Sequence, residues 1–135
     1  MSKRYLIIFI IAIFILSITS VVLATDVHTT TSIINGVTVK WEYNIDKSNQ
    51  IIDLKCTNST ELTGNITIPA TLDGLNVVSL GNGAFSGATN ITKVVIPSSI
   101  KKIAQNSFLK CTGLTAVELV SVEVINEAAF ADCTG

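Results

Sequence analysis

The sequence predicts a mainly β solenoid of about three rungs, closed at its N-terminal end by a β-hairpin cap and preceded by an export signal. Three observations predict it. Phenylalanine recurs at Phe85, Phe108 and Phe130, at intervals of 23 and 22 residues, with apolar neighbours in step. Upstream of that series, apolar and polar residues alternate from Val37 to Ile45. At the start of the chain a long apolar run comes after Lys3 and Arg4.

The apolar run comes first. Tyr5 to Leu16 are twelve residues with no polar group beyond the Tyr hydroxyl, and Ser17, Thr19 and Ser20 then break the run. Val22 and Ala24 supply small residues at the −3 and −1 positions of a cleavage site, so residues 1–24 are expected to be a secretory signal peptide cut after Ala24. Left uncut, Tyr5 to Ala24 would just span a bilayer of about 30 Å, and the leader is the one expected contact with a membrane.

The leader also accounts for the composition. The 135 residues are 48% hydrophobic and 14% charged, but 18 of the 65 hydrophobic residues lie in residues 1–24. The remaining 111 residues hold seven Lys and ten acids, a net charge of −3 with no Arg. So few cations argue against a nucleic-acid partner, whose binding rests on phosphate neutralisation. One His and three scattered Cys are too few for an ordinary four-coordinate zinc site.

Residues 25–63 are expected to form the cap. Val37, Val39, Trp41, Tyr43 and Ile45 share one face of a strand by alternation, and Ile52, Leu54 and Cys56 alternate again after the turn-rich Asp46 to Gln50. The pattern is that of a hairpin, with a short strand before the Asn35-Gly36 turn. The first rung of a solenoid would otherwise expose its apolar face, and the Trp41 and Tyr43 side is expected to cover it.

Residues 64–135 carry the repeat. Leu80, Ile103 and Ile125 stand five residues before their Phe, and Val77, Ile100 and Val122 stand eight before it. Ile66-Thr67-Ile68-Pro69, Val94-Val95-Ile96-Pro97 and Val117-Glu118-Leu119-Val120 begin the three units. In each, the first and third side chains point inward and the middle one outward. A proline, bringing no ladder donor, ends the strand in the first two. The Phe is expected to enter a short helical or 3-10 turn. Leu80, Phe85, Ile103, Phe108, Ile125 and Phe130 are the expected repeat core. The first unit holds five extra residues around Asp73-Gly74, and Ser107 brings a hydroxyl that needs a local backbone partner. At Cys133-Thr134-Gly135 the sequence stops where another strand is due, so the array is expected to be truncated.

The segments Ile66-Thr67-Ile68-Pro69, Gly83-Ala84-Phe85-Ser86-Gly87 and Val94-Val95-Ile96-Pro97-Ser98-Ser99-Ile100 resemble BspA-like (Treponema-type) leucine-rich repeats. The resemblance runs from Gly64 to Gly135. It departs from the family pattern at Ser107, where Ala is usual, at Ala88, where Cys is usual, and at Val120, where Pro is usual. It implies a secreted or cell-surface protein that binds host, matrix or neighbouring-cell proteins.

Chemistry is thin on the ground. His28 lies in a Thr-rich stretch outside both patterned regions, expected to be mobile, with no nucleophile beside it in sequence. Cys111 and Cys133 fall at equivalent rung positions, about 5 Å apart by strand spacing. That spacing allows a disulfide, but parallel side chains aim badly for one and buried thiols are the better expectation. Asn58, Asn65 and Asn90 each open an N-x-S/T pattern. The acids are dispersed, and regular rungs build no water-excluding pocket, so no catalytic, cofactor-binding or metal-ligating residues are expected.

The rest is surface. Thr67, Val95 and Glu118 should form an outward ladder flanked by Asn65, Lys93 and Ala116, with Ser79, Lys101, Lys102 and Glu123 on the facing bend. The Lys pair reads as a solvated face. Repeat solenoids bind along such ladders. The expected function is therefore non-enzymatic protein binding or adhesion outside the cell, with extracellular or surface proteins as partners. The alternative is an accessory repeat region of a larger exported enzyme.

Overall fold

The computed structural model describes residues 26–135, so the expected signal peptide, residues 1–24, lies outside the described residues. Strands β1 (His28–Ile34) and β2 (Val37–Ile45) pair antiparallel from His28↔Tyr43 to Ile34↔Val37. Between them Asn35 and Gly36 have φ of 50° and 79°, the double left-handed pair that a two-residue hairpin turn requires. A second turn leads to β3 (Ile51–Cys56), which pairs antiparallel with β2. There the Asp46 carboxylate accepts from the backbone N–H groups of Ser48 and Gln50, both at 2.9 Å. The cap is thus a three-stranded meander, the expected hairpin together with the strand before the Asn35-Gly36 turn, which at seven residues is longer than expected. The Thr-rich stretch is its full outer strand.

β3 belongs to two systems at once. Its free edge starts the repeat ladder, with Leu54 pairing parallel to Leu80 in β7 (Ser79–Leu80). β9 (Lys102–Ile103) and β11 (Val124–Ile125) continue it, giving a six-stranded sheet in the order β1-β2-β3-β7-β9-β11. The opposite wall is a parallel sheet in the order β10-β8-β4, built from β4 (Gly64–Thr67), β8 (Ile91–Ile96) and β10 (Ala116–Leu119). The five extra residues form a small hairpin of β5 (Thr71–Leu72) and β6 (Leu75–Asn76) around Asp73-Gly74.

Strand alternation sends Ile66, Ile68, Val94 and Ile96 inward from one wall and Leu54, Val77, Leu80, Ile100 and Ile103 from the other, all buried. Between the walls the aromatic rings stack. Phe85 and Phe108 lie 5.2 Å apart and Phe108 and Phe130 5.1 Å apart, nearly parallel. Trp41 closes the stack edge-on to Phe85 at 5.9 Å, so the Trp41 side of the cap does cover the first rung. Each fully buried Phe contributes about 1.5–3 kcal/mol of transfer free energy, and only its neighbours in the stack make that burial complete.

The turns around each Phe are hydrogen-bonded turns and not helices. Among the described residues the one 3-10 helix is Ser59–Glu61, before the first repeat. Consecutive turns form their own ladder, in which the Phe85 N–H donates to Ser107 O at 2.6 Å and the Phe108 N–H to Ala129 O at 2.7 Å. This aim demands left-handed backbone two residues before and two residues after the Phe. Gly83, Asn106 and Ala128 fill the first position at φ 64°, 58° and 55°, and Gly87, Lys110 and Asp132 fill the second at φ 75°, 59° and 58°. Glycine adopts this conformation freely and Asn or Asp tolerate it, whereas Ala128 and Lys110 hold it at a cost. The Ser107 hydroxyl finds its partner locally, donating to Ala104 O at 2.7 Å, with Gly81 O of the preceding rung also within reach at 3.1 Å.

Candidate interaction surface

The register sets Thr67 beside Val95 and Val95 beside Glu118 across β4, β8 and β10. Thr67 and Glu118 are exposed and Val95 is half-buried, while Ile66 and Val94, one residue along, are in the core. A second row, Asn65, Lys93 and Ala116, lies on the same outer face. The Lys93 ammonium pairs with the Glu118 carboxylate, and the Thr92 hydroxyl donates to Asn65 Oδ1 at 3.1 Å. The result is a flat platform of short side chains around one ion pair, held from behind by a packed core. It offers methyl, hydroxyl and charged contacts but no nucleophile and no paired carboxylates.

Of the six expected repeat-core residues, Leu80, Phe85, Ile103 and Phe108 are fully buried. Phe130 is partly buried, and Ile125 is 49% exposed because the described rungs flank it on one side only. Ser79, expected outward, is buried instead. Its hydroxyl accepts the backbone N–H of Asp53 at 3.0 Å, stitching β7 to the cap.

None of the three cysteines is paired in a disulfide. The Cys111 thiol donates to Phe85 O at 3.2 Å and the Cys133 thiol to Phe108 O at 3.1 Å, each reaching back one rung. Burial pushes the thiols of Cys56 and Cys111 up to about 11 and raises that of Cys133, so thiolate is scarce near neutrality. His28, expected in a mobile stretch, is half-buried in β1 and stacks on Tyr43 at 5.5 Å. Among the described residues no group of His, Cys, Asp and Glu is placed to hold a metal ion.

Three residues that fasten the cap were not legible as such in the sequence. Asp73, at the tip of the small hairpin, accepts from the Tyr43 hydroxyl at 2.6 Å and from the Thr30 hydroxyl at 2.9 Å. Asn35, at the first turn, donates to Asn65 O at 2.7 Å. Asn58 is buried, its Oδ1 accepting the Lys40 N–H at 2.8 Å and its Nδ2 donating to Thr38 O and Glu61 Oε2, both at 3.0 Å. Its amide is therefore engaged inside the cap, whereas Asn65 and Asn90 are exposed. The available signals were the Asp73-Gly74 pair inside the extra residues and the Asn35-Gly36 pair, but neither names its distant partner.

Comparison with known proteins agrees with this architecture. A family model described as a BspA type leucine rich repeat region (6 copies) matches residues 38–135. That span takes in β2 and β3 as well as the rungs, in line with the double role of β3. Among solved structures, the T. pallidum leucine-rich repeat protein is similar at 29% identity and a TM-score of 0.60. The match covers 69% of this chain and 43% of that one, so this chain spans under half of its length. Among curated proteins, none matches.

Proposed function

Since the chain belongs to the BspA-type leucine-rich-repeat family, we propose that it is an exported, non-enzymatic module that binds other proteins outside the cell. A leucine-rich-repeat solenoid is suited to protein–protein interaction, because each rung adds side chains to a rigid, extended platform. The observation that carries the proposal is the Thr67, Val95 and Glu118 ladder, outward-facing in register over a filled core. Its chemistry fits a protein surface of mixed character, with a central apolar contact at Val95 and polar groups around it, the layout of small protein interfaces. Export is supported by the leader pattern of residues 1–24. Among the described residues no helix is long and apolar enough to cross a membrane. Adhesion to host, matrix or neighbouring-cell proteins is the role we assign to the ladder.

The test has two arms. Residues 1–24 fused to a secretion reporter should deliver it outside the cytoplasm, and the chain should be retained on some members of a panel of purified matrix and cell-surface proteins. A reporter that stays in the cytoplasm contradicts the exported role, and retention on none of the panel contradicts adhesion.

A further inference from the structure

The face of the solenoid opposite the ladder carries a second surface with a chemistry of its own. An open groove of about 660 Å³ runs across β3, β7 and β9. Its position is set by the register. The Val78 N–H donates to Ile51 O and the Lys101 N–H to Val78 O, both at 2.9 Å, so Ile52 in β3, Val78 just before β7 and Lys101 just before β9 lie in a row. Ile52 and Val78 are half-buried and give the groove an apolar floor, while Lys101 and Lys102 line it and are exposed. Asn76, on the small hairpin, lines it too, and the sequence alone presented these lysines merely as a solvated face.

The charges are what single this groove out. Residues 25–135 carry a net charge of −3 from seven Lys and ten acids, yet this groove is lined by two lysines and one acid, Asp53. Among the described residues neither lysine has a carboxylate within ion-pair distance, whereas Lys93 on the other face is neutralised by Glu118. The Asp53 carboxylate is itself turned to the Asn44 amide at 3.5 Å. Glu123 stands one rung on from Lys101, its N–H donating to Lys101 O at 2.8 Å, and its carboxylate makes no ion pair with either lysine. Two uncompensated ammonium groups beside an apolar strip complement an extended segment that alternates carboxylates with aliphatic side chains. A sugar ligand fits less well, because the rings that would stack on it, Trp41, Tyr43, Phe85 and Phe108, are all buried.

We infer that this groove binds acidic, amphipathic protein segments, with Lys101 and Lys102 taking carboxylates and Ile52 and Val78 taking an aliphatic side chain. This surface is separate from the Thr67, Val95 and Glu118 ladder and stands whether or not the ladder binds.

Fluorescence anisotropy of the full chain with two short synthetic peptides tests it, one alternating Glu with Leu and one alternating Gln with Leu. A sulfated oligosaccharide serves as the competing ligand class. The Glu peptide should bind at least about tenfold more tightly than the Gln peptide and should weaken as salt rises from about 0.15 M to about 1 M. The Lys101→Gln/Lys102→Gln variant should lose about tenfold in affinity, and Val78→Thr a few-fold, while Thr67→Ala leaves binding unchanged. Near-ultraviolet circular dichroism of Trp41 checks that each variant keeps its fold. Equal binding of the two peptides, no binding of the Glu peptide, an unaffected lysine variant, or binding of the sulfated sugar alone would overturn the inference.

Discussion

The Tyr43 hydroxyl donates to the Asp73 carboxylate at 2.6 Å, joining the second strand of the cap to a two-strand hairpin thirty residues later. Tyr43 is 5% exposed, and burial, with Asp73 adding to it, pushes its phenol up to about 12. A hydrogen bond to a charged group contributes about 1.5–3 kcal/mol, so Tyr43→Phe should destabilise the fold by that order at neutral pH. Linkage gives the direction with pH. The folded phenol binds its proton more tightly than the unfolded one, so the contribution is complete below pH 10 and fades as pH rises towards 12. Urea unfolding at a series of alkaline pH values should show the gap between the wild-type chain and Tyr43→Phe closing over that window. A gap that is constant with pH would remove this role.

The turn ladder places an alanine where glycine is the natural choice. Ala128 has φ 55°, and its counterpart two residues before the first Phe is Gly83 at φ 64°. Ala128→Gly should therefore stabilise the chain by about 0.5–1 kcal/mol, because relief of left-handed strain outweighs the added freedom of the unfolded glycine. Gly83→Ala should cost about the same 0.5–1 kcal/mol from the same conformation, since no neighbouring atom would clash with the new methyl. Thermal melts of the two variants check both signs.

These two cases mark what the sequence could show. The Phe, Leu and Ile repeats were legible because a stacked core needs the same inward residue on every rung, so a packing demand repeats in the sequence. Asp73 and Asn58 were not, because their hydrogen bonds reach residues distant in the chain and occur once in the fold, and an arrangement made once leaves no period. β3 was legible as a strand but not as the start of the ladder, because the residue five beyond Leu54 is Ser59 rather than a Phe. The aromatic over Phe85 comes instead from Trp41, on a different strand. The outward ladder was legible from alternation alone, whereas the Lys93–Glu118 pair needed the register between strands.

Position within the aromatic stack should set the cost of losing a ring. Phe108 is fully buried between Phe85 and Phe130, while Phe130 has a ring on one side among the described residues. Phe108→Ala should cost about 3–5 kcal/mol, the range for a buried aromatic. Phe130→Ala should cost distinctly less. Chemical denaturation compares the pair, and equal losses would count against the stack as the organiser of the core.

The thiols should be inert until the chain opens. With Cys56 and Cys111 raised to about 11 and both buried, alkylation at about pH 7.5 should run at least about a hundredfold slower in the native chain than in denaturant. Mass spectrometry after a timed pulse of iodoacetamide reads each site. Fast native labelling of Cys111 would contradict its donation to Phe85 O.

The central claim, that this chain binds proteins through the ladder on β4, β8 and β10, is tested most directly at Val95. Val95 is half-buried at the centre of the platform, between Thr67 and Glu118. The measurement is the dissociation constant for a matrix or cell-surface protein retained by the chain, compared between wild type and Val95→Arg. Binding through the ladder predicts a loss of at least about tenfold, the size expected when a central interface contact is replaced by a charge, with the melting temperature little changed. An unchanged dissociation constant for a correctly folded Val95→Arg chain would contradict it.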